Sequence, residues 1–272
     1  MIWQDIQRIR AEAPLVHNIT NYVVMNATAN ALLAIGASPV MAHAIEEVAE
    51  MASLARALVI NIGTLSAPWV DAMVKAGKEA RRRKIPIVLD PVGSGATQFR
   101  TTTAQKLIQE IHPAVIRGNA SEIRSLLRPG PGAKGVDSRH LPDEVLDDAR
   151  ALSRSAGCVV SVSGPVDLIV QGDAAARVAN GHPMMTKVTG MGCTASAITG
   201  AFTAVNPSPF QAAAHAMAVM KVVGEMAAER AAGPGSFQHH FLDVLHGIQA
   251  SDIAQRLKMQ GLRSFRGEPN EK

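Results

Sequence analysis

Four short runs of apolar, mostly β-branched residues recur along this chain, and helical patterns lie between them. The runs are 57–62, 85–89, 114–116 and 158–162. Each is apolar at consecutive positions, which is typical of a parallel strand that is buried on both faces. Strand–helix alternation of this kind predicts an α/β fold, in which helices flank a mainly parallel central sheet.

The segments outside these runs carry helical periodicity or hairpin signals. Residues 168–170 and 175–178, with Gly172-Asp173 between them, predict a hairpin added to the sheet. The predicted helices are 23–35, 66–83, 101–111, 121–127, 142–156, 195–205, 210–231 and 237–257.

The length and composition predict one folded unit. The chain has 272 residues, of which 47% are hydrophobic, and this is enough for a sizeable core. It contains no internal repeat and no linker that would divide it. We therefore expect a single domain over residues 1–260 and a polar C-terminal tail over 261–272.

The charge pattern argues against nucleic acid as a partner. The net charge is +4, aromatic residues make up 3%, and the dense basic run 81–84 ends a predicted helix. Cations at that position suit the helix dipole, whereas a nucleic-acid surface needs a broader basic patch.

A reducing, membrane-free location is expected. The two cysteines cannot form a disulfide scaffold at this size, and the N-terminal residues form no apolar signal segment. Residues 188–220 lack Asp, Glu, Lys and Arg, but polar residues and prolines interrupt them. They predict two buried helices joined by a turn, so we expect a cytoplasmic protein.

The strongest local motif is Thr189-Gly190-Met191-Gly192-Cys193. Glycines before a helix let backbone N–H groups converge, and the helix N-terminus adds partial positive charge. Such an anion hole can stabilise a transferring phosphoryl group, although a plain glycine-rich helix start is the alternative. The dipole can also lower the pKa of Cys193, which would make it a base or a nucleophile rather than a small buried hydrophobe.

Two carboxylates follow predicted strands, where open α/β sheets bind ligands. Glu122 lies in Asn119-Ala120-Ser121-Glu122, and Asp90 begins a glycine-rich loop. Glu122 could hold Mg²⁺, which needs few protein ligands. The alternatives are an N-terminal helix acid favoured by the helix dipole for Glu122 and an ordinary strand-to-loop turn for Asp90.

Several standard motifs are absent from the sequence. It has no G-x-x-x-x-G-K-[ST] loop, no H-E-x-x-H and no cysteine–histidine zinc spacing. Gly130, Gly132 and Gly135 formally fit G-x-G-x-x-G. They follow a predicted helix, their stretch includes Pro129 and Pro131, and polar residues come after it, so we interpret them as a loop.

An ordered set of motifs, running from about Pro14 into the last helix, resembles the hydroxyethylthiazole kinase family. A chance match of so many motifs in the same order is implausible. The motifs are His17-Asn18-Ile19-Thr20-Asn21, Gly36-Ala37-Ser38-Pro39-Val40-Met41, Asn61-Ile62-Gly63-Thr64, Asp90-Pro91-Val92-Gly93, Asn119-Ala120-Ser121-Glu122, Gly135-Val136-Asp137-Ser138, Ser163-Gly164 and Thr189-Gly190-Met191-Gly192-Cys193.

The resemblance implies a ribokinase-like fold and ATP- and Mg²⁺-dependent phosphorylation of 4-methyl-5-(2-hydroxyethyl)thiazole in thiamine salvage. It also implies a homotrimer with the thiazole site between subunits. Relatives commonly have Thr or another small residue at Met191. The implied site residues are Cys193, Gly190 and Gly192 for catalysis, Met41, Gly190 and Asn21 for the thiazole, Arg117, Ser163 and Asp90 for ATP, and Glu122 for the metal.

Other functions stay open on the sequence alone. Ribokinase-like kinases of hydroxymethylpyrimidine or pyridoxal, and the dehydratases that repair hydrated NAD(P)H, are expected to carry aspartate where this chain has Cys193. A nucleotide-binding regulator without catalysis is a third possibility. Substrate-dependent release of ADP would separate a kinase from such a regulator.

Overall fold

The computed structural model describes residues 1–127 and 142–261 of the chain. Within them one sheet of nine strands is the centre of the molecule. The strands are β1 (Leu15–Ile19), β2 (Ser38–Val40), β3 (Ala57–Asn61), β4 (Ile87–Asp90), β5 (Val115–Asn119), β6 (Val159–Ser163), β7 (Asp167–Gln171), β8 (Ala174–Val178) and β9 (Met259–Gln260).

The sheet order is β2-β1-β3-β4-β5-β6-β7-β8-β9. The first six strands of this order pair in parallel, and the last three are antiparallel. The parallel core and the β7–β8 hairpin confirm the predicted architecture. Because the parallel strands share one direction, their carboxyl ends meet at a single edge of the sheet.

Helices cover both faces of this sheet. A short 3₁₀ helix, Pro183–Lys187, precedes the glycine motif. The α-helices are α1 (Ile2–Glu12), α2 (Met25–Ile35), α3 (Val48–Leu54), α4 (Ala67–Arg82), α5 (Gln98–Ile111), α6 (Ala120–Leu127), α7 (Pro142–Ala156), α8 (Met191–Val205), α9 (Pro209–Arg230), α10 (Pro234–Gly247) and α11 (Ala250–Arg256).

Two hydrophobic cores explain why the central strands are apolar at every position. Along β3, Ala57 and Val59 face a core shared with α1, α2, α8, α9 and α10. Leu58 and Ile60 face the opposite core, which they share with α3 to α7. Since successive side chains of a strand point to opposite faces, a strand buried on both faces needs a continuous apolar run.

The predicted helix over 237–257 is wrong, because the structure divides it into α10 and α11. Ile248 and Gln249 leave the helical conformation between them. The Ile248 carbonyl accepts a hydrogen bond from Arg10 Nη2 at 3.2 Å, and the Asp252 carboxylate accepts one from the Gln249 N–H at 2.9 Å. These bonds satisfy backbone groups that a continuous helix would have paired internally.

Residues 188–220, which lack Asp, Glu, Lys and Arg, contain α8 and the first half of α9, joined by a short turn as predicted. In the described ranges, no helix is both long enough and apolar enough to cross a membrane. The predicted loop around Gly130 to Gly135 and residues 262–272 of the predicted tail lie outside the described residues.

Helix α8 lies unusually close to the sheet, and Gly200 makes this possible. A Cβ atom at position 200 would lie 2.5 Å from Val59 Cγ2 and 3.2 Å from Val16 Cγ1. The first of these distances is too short for two carbon atoms that are not bonded to each other. Glycine at this position therefore sets the depth of α8 against β1 and β3.

We expect Gly200→Ala to destabilise the fold, since overpacking a core typically costs about 1–3 kcal/mol. Gly247→Ala is the matched control, because Gly247 is also helical and has no atom within 4 Å of the added Cβ position. Denaturant unfolding of both variants measures the difference. A Gly200→Ala variant as stable as Gly247→Ala would contradict the proposed packing constraint.

Candidate active site

Candidate site residues follow the parallel strands at the carboxyl edge of the sheet. Asn61, Asp90, Asn119 and Ser163 are the last residues of β3, β4, β5 and β6. Asn21 lies two residues beyond β1, and Met41 directly follows β2. The fold thus brings to one edge residues that are far apart in the sequence, as expected for an open α/β sheet.

The N-terminus of α8 faces this edge and is open to an anion. Gly190 is its N-cap residue with φ +82°, and no side chain caps the helix. A Cβ atom on Gly190 would lie 2.8 Å from Val24 Cγ1, so backbone conformation and space both require glycine. The N–H groups of Met191 to Cys193 precede the first intrahelical bond, which joins Thr194 N to the Gly190 carbonyl at 2.8 Å.

Arg117 brings a buried positive charge to the same place. Arg117 lies on β5, and only 7% of its surface is exposed. A Cβ atom at position 192 would lie 2.8 Å from Arg117 Nη1, so the guanidinium lies against the first turn of α8. The Nε atom of Arg117 has no hydrogen-bond partner among residues 1–127 and 142–261. A helix N-terminus and a guanidinium together favour a negatively charged ligand.

A chain of polar side chains connects Cys193 to Asp90. Asn21 Nδ2 lies 3.5 Å from Cys193 Sγ and donates to Asn61 Oδ1 at 2.8 Å. Asn61 Nδ2 in turn donates to Asp90 Oδ2 at 2.8 Å, and the Ser196 hydroxyl donates to the same oxygen at 2.7 Å. Three of the predicted site residues are therefore members of one network.

The expected lowering of the pKa at Cys193 is wrong. Burial raises the pKa of the Cys193 thiol to about 11, and the nearby Asp90 carboxylate adds to the rise. Burial also raises the pKa of Asp90 to about 6, although the Arg117 guanidinium opposes the shift. Desolvation and a neighbouring negative charge outweigh the helix dipole here, so Cys193 is a neutral thiol at pH 7.

Glu122 fixes the loop after β4 to the start of α6. Its Oε1 accepts a hydrogen bond from the Gly93 N–H at 2.8 Å, and its Oε2 accepts one from the Asn119 N–H at 2.8 Å. The Asn119 side chain accepts one from the Glu122 N–H at 2.9 Å in return. This reciprocal pair is a capping box. Glu122 is an acid in the first turn of α6, which is the alternative that the sequence left open for it.

Arg100 holds two of the site loops together and was not identified from the sequence. Its Nη1 donates to the Ile62 carbonyl at 2.9 Å and to the Val92 carbonyl at 2.7 Å, and its Nη2 donates to the Gly63 carbonyl at 2.5 Å. Arg100 therefore cross-links the loops after β3 and β4. Nothing local in the sequence indicates these carbonyl partners.

Asn61 and Ser196 were also missed as network members, although one signal was available. Asn61 ends a buried strand, and it lies in register with Asp90 on the neighbouring strand. A polar residue at the end of an apolar strand is expected to face a site at the carboxyl edge. Ser196 gives no comparable signal, because it lies in a run of small residues within α8.

Ser163 and Met41 lie on opposite sides of this network. Ser163 is in register with Asn119, and its hydroxyl donates to the Gly118 carbonyl at 3.4 Å, beside the strand of Arg117. Met41 follows the edge strand β2 and is separated from β3 by β1. The network around Cys193 lies between these two positions.

We expect Cys193 to react slowly with iodoacetamide at pH 7.5. A pKa of about 11 leaves roughly 300-fold less thiolate than in free cysteine, and the higher nucleophilicity of a basic thiolate offsets only part of this. The rate should be at least about tenfold lower than for free cysteine and should still rise above pH 9.

Mass spectrometry of the alkylated protein from pH 7 to 10 measures this rate. Cys193→Ala gives the background from Cys158, which is 3% exposed and has its pKa raised to about 12 by burial. A plateau of the Cys193 rate below pH 8 would contradict the raised pKa.

Comparison with known proteins gives the same family as the motifs. The model of the hydroxyethylthiazole kinase family matches residues 6–251. A hydroxyethylthiazole kinase from Syntrophus aciditrophicus (strain SB) is 57% identical over 258 residues, covering 94% of this chain and 96% of the relative.

Solved structures agree with the fold. The hydroxyethylthiazole kinase from Pyrococcus horikoshii OT3 matches with a TM-score of 0.89 and 44% identity, over 95% of this chain and 98% of that one. A pyridoxal kinase from Bacillus subtilis, solved as an ADP complex, has a TM-score of 0.56 at 16% identity, over 78% of this chain and 91% of that one, and shares the fold alone. The chain therefore belongs to the hydroxyethylthiazole kinase family, and its fold is ribokinase-like.

Proposed function

We propose that this chain transfers the terminal phosphoryl group of ATP to the hydroxyl of 4-methyl-5-(2-hydroxyethyl)thiazole, a step of thiamine salvage. The observation that carries the proposal is the uncapped N-terminus of α8, with Arg117 on one side and the Cys193–Asn21 pair on the other. Such donors stabilise the charge of a phosphoryl group in transfer. The free thiols Cys158 and Cys193 suit the reducing cytoplasm in which we place the reaction.

The alcohol is assigned to the side of the network that holds Asn21. Asn21 is 4% exposed and already donates to Asn61, which fixes its orientation beside Cys193. Because Gly190 has no side chain, Val24 packs directly against the start of α8 on this side. A neutral heterocycle whose hydroxyl points at Cys193 would then lie directly beside the N–H groups that receive the phosphoryl group.

We assign Met41 to the thiazole site of a neighbouring subunit in a homotrimer. Met41 directly follows β2, the outermost strand at this end of the sheet. Tyr22 and Val23, next to Asn21, are 65% and 64% exposed. Apolar side chains exposed beside a binding residue support a site that a second chain completes.

The nucleotide is assigned to the other side, along β4, β5 and β6. Arg117 supplies a buried guanidinium for the phosphates, and Ser163 supplies a hydroxyl at the end of the next strand. Asp90 lies where the terminal phosphate would approach α8. The order of the strands thus gives the order alcohol, phosphoryl group, nucleotide along the edge.

Glu122 and Asp90 are the residues that would hold Mg²⁺ with the phosphates. Each oxygen of Glu122 accepts one backbone N–H and keeps a second lone pair for a metal or its water. The described residues contain no group of three or more His, Cys, Asp and Glu side chains placed to hold a metal. Mg²⁺ usually keeps several waters and takes one or two carboxylates plus phosphate oxygens, so these residues fit it. When bound, it would neutralise phosphate charge.

Cys193 acts on the alcohol as a neutral thiol in this proposal. Phosphoryl transfer has a loose transition state, so the hydroxyl proton leaves late and positioning matters more than a strong base. The sulfur can accept a hydrogen bond from the hydroxyl and hold it in line. As the alcohol oxygen bonds to phosphorus and the bond to ADP breaks, the hydroxyl proton passes to a phosphoryl oxygen or to water. The backbone donors at the start of α8 do not depend on this side chain.

A coupled ADP-release assay across a panel of alcohols tests the function. We expect release that depends on the thiazole alcohol, with kcat/KM about 100-fold above that for hydroxymethylpyrimidine or pyridoxal, as a shaped pocket provides. ATP without an alcohol is the control. Equal activity on the other alcohols, action on hydrated NADH, or nucleotide binding without turnover would each overturn the proposal.

The variants of Cys193 test its role. Cys193→Ala should lower kcat by less than about 100-fold, because a general base contributes little when proton loss is late. Cys193→Asp should stay active, because a carboxylate can also accept a hydrogen bond from the alcohol and, when ionised, can take its proton, whereas a thiol with a pKa of about 11 is almost wholly protonated at pH 7.

A mechanism with a covalent phosphocysteine intermediate predicts different activities for these variants. If Cys193 carried the phosphoryl group, Cys193→Ala and Cys193→Asp would both be inactive. Mass spectrometry after incubation with ATP and Mg²⁺ should find the protein unmodified. A phosphoryl group on Cys193 would refute direct transfer and leave the kinase assignment in place.

A further inference from the structure

A buried lysine lies under the turn that follows Ser163. Lys221 of α9 is 7% exposed, and its Nζ donates to the Gly164 carbonyl at 2.8 Å and to the Pro165 carbonyl at 3.0 Å. Its third contact is an ion pair with Asp167 Oδ1 at 3.0 Å. An ammonium group has three N–H donors, so these contacts account for all of them.

Asp167 completes the arrangement from the other side of the turn. It is fully buried at the first position of β7, and its Oδ1 also accepts a hydrogen bond from the Gly164 N–H at 2.9 Å. Its Oδ2 has no partner in the described part of the chain. Burial raises the pKa of the Asp167 carboxyl, and the positive charges of Lys221 and Arg117 oppose that rise.

The turn held in this way, residues 164–166, is exposed although its supports are buried. It directly follows Ser163, and Val166 is 44% exposed. We call residues 164–166 the β6–β7 turn. Lys221 and Asp167 bind two carbonyls and one N–H of this turn from its buried side. These bonds fix the backbone conformation of the turn, and its exposed side lies next to Ser163 and near Arg117.

We propose that Lys221 and Asp167 are positioning residues for the nucleotide: they hold the β6–β7 turn in the conformation that ATP binds. The inference rests on the proposed function, which assigns ATP to this end of the edge. Neither residue contacts the Asn21–Cys193 side of the site, because every contact of Lys221 Nζ goes to the turn or to Asp167. Their loss should therefore affect nucleotide binding and leave alcohol binding unchanged.

A buried ion pair could instead serve only the stability of the fold. A residue with that role would change the unfolding midpoint but would not separate the two substrates. The pair is costly to bury, and removing one partner leaves an unpaired charge that can itself destabilise the protein. The test must therefore compare the two KM values and must include a variant that removes both charges.

The experiment uses full-length Lys221→Met, the double variant Lys221→Met/Asp167→Asn, and Lys258→Met as control. Lys258 pairs with Glu225 of α9 at 3.5 Å, but its side chain is 65% exposed and it precedes β9, which lies two strands from β7 in the sheet order. KM is measured for ATP and for the thiazole alcohol, and ADP affinity is measured by calorimetry without alcohol.

We expect KM for ATP and the dissociation constant of ADP to rise about 10- to 100-fold in both Lys221 variants, the scale at which a misplaced contact acts. KM for the alcohol should stay within about twofold, and Lys258→Met should match the wild type. If Lys221→Met does not fold, the KM values and ADP affinity of the double variant test the proposal, since that variant leaves no unpaired charge.

Folded variants with unchanged ADP affinity would overturn the proposal, as would equal rises in both KM values. The proposed function can fail separately. If the wild type phosphorylates none of the alcohols but ADP affinity still falls in the Lys221 variants, the positioning role stands and the kinase assignment does not.

Discussion

The close approach of α8 to the sheet is the constraint on which the site depends. Gly200 allows the helix to lie against Val59 and Val16 in the middle of β3 and β1. At that depth Ser196 reaches Asp90, and the first turn meets the Arg117 guanidinium. A larger residue at position 200 would move α8 away from the sheet. The N–H groups at the start of α8 and the Cys193 thiol would then no longer lie close to the Asp90 carboxylate. Packing in the core therefore sets the geometry at the edge.

The arrangement gathers charged groups that an apolar core would normally exclude. Asp90, Arg117, Asp167 and Lys221 are all buried. Each gains partial compensation: Asp90 from Asn61 and Ser196, and Lys221 from two carbonyls and a carboxylate. Arg117 Nε and Asp167 Oδ2 stay without protein partners in the described ranges. Buried polar atoms left in this way are uncommon in folded proteins, and these two lie in the part of the edge assigned to phosphates.

The sequence predicted what depends on local pattern and missed what depends on contacts across the chain. Strands β3 to β6 follow from their apolar runs, whereas β1 was not predicted because His17 and Asn18 interrupt its apolar pattern. The glycine motif predicted the helix N-terminus, but not the raised pKa of Cys193, which needs the distant Asp90 beside it. Asn119-Ala120-Ser121-Glu122 predicted a site carboxylate, while the Gly93 N–H that binds Glu122 comes from another loop.

The electrostatics of the network also indicate how the chemistry is divided among its groups. A thiolate at Cys193 would place a second negative charge beside Asp90, and Asn21 and Asn61 offset only part of that repulsion. A phosphoryl group bound at α8 would add further negative charge and hold the thiol in its protonated form more firmly. The acceptor hydroxyl therefore meets no strong base before transfer begins. The positive end of α8 and the Arg117 guanidinium are in place from the start. Under the proposed function, stabilising the phosphoryl charge is therefore the part of catalysis that this fold builds in advance.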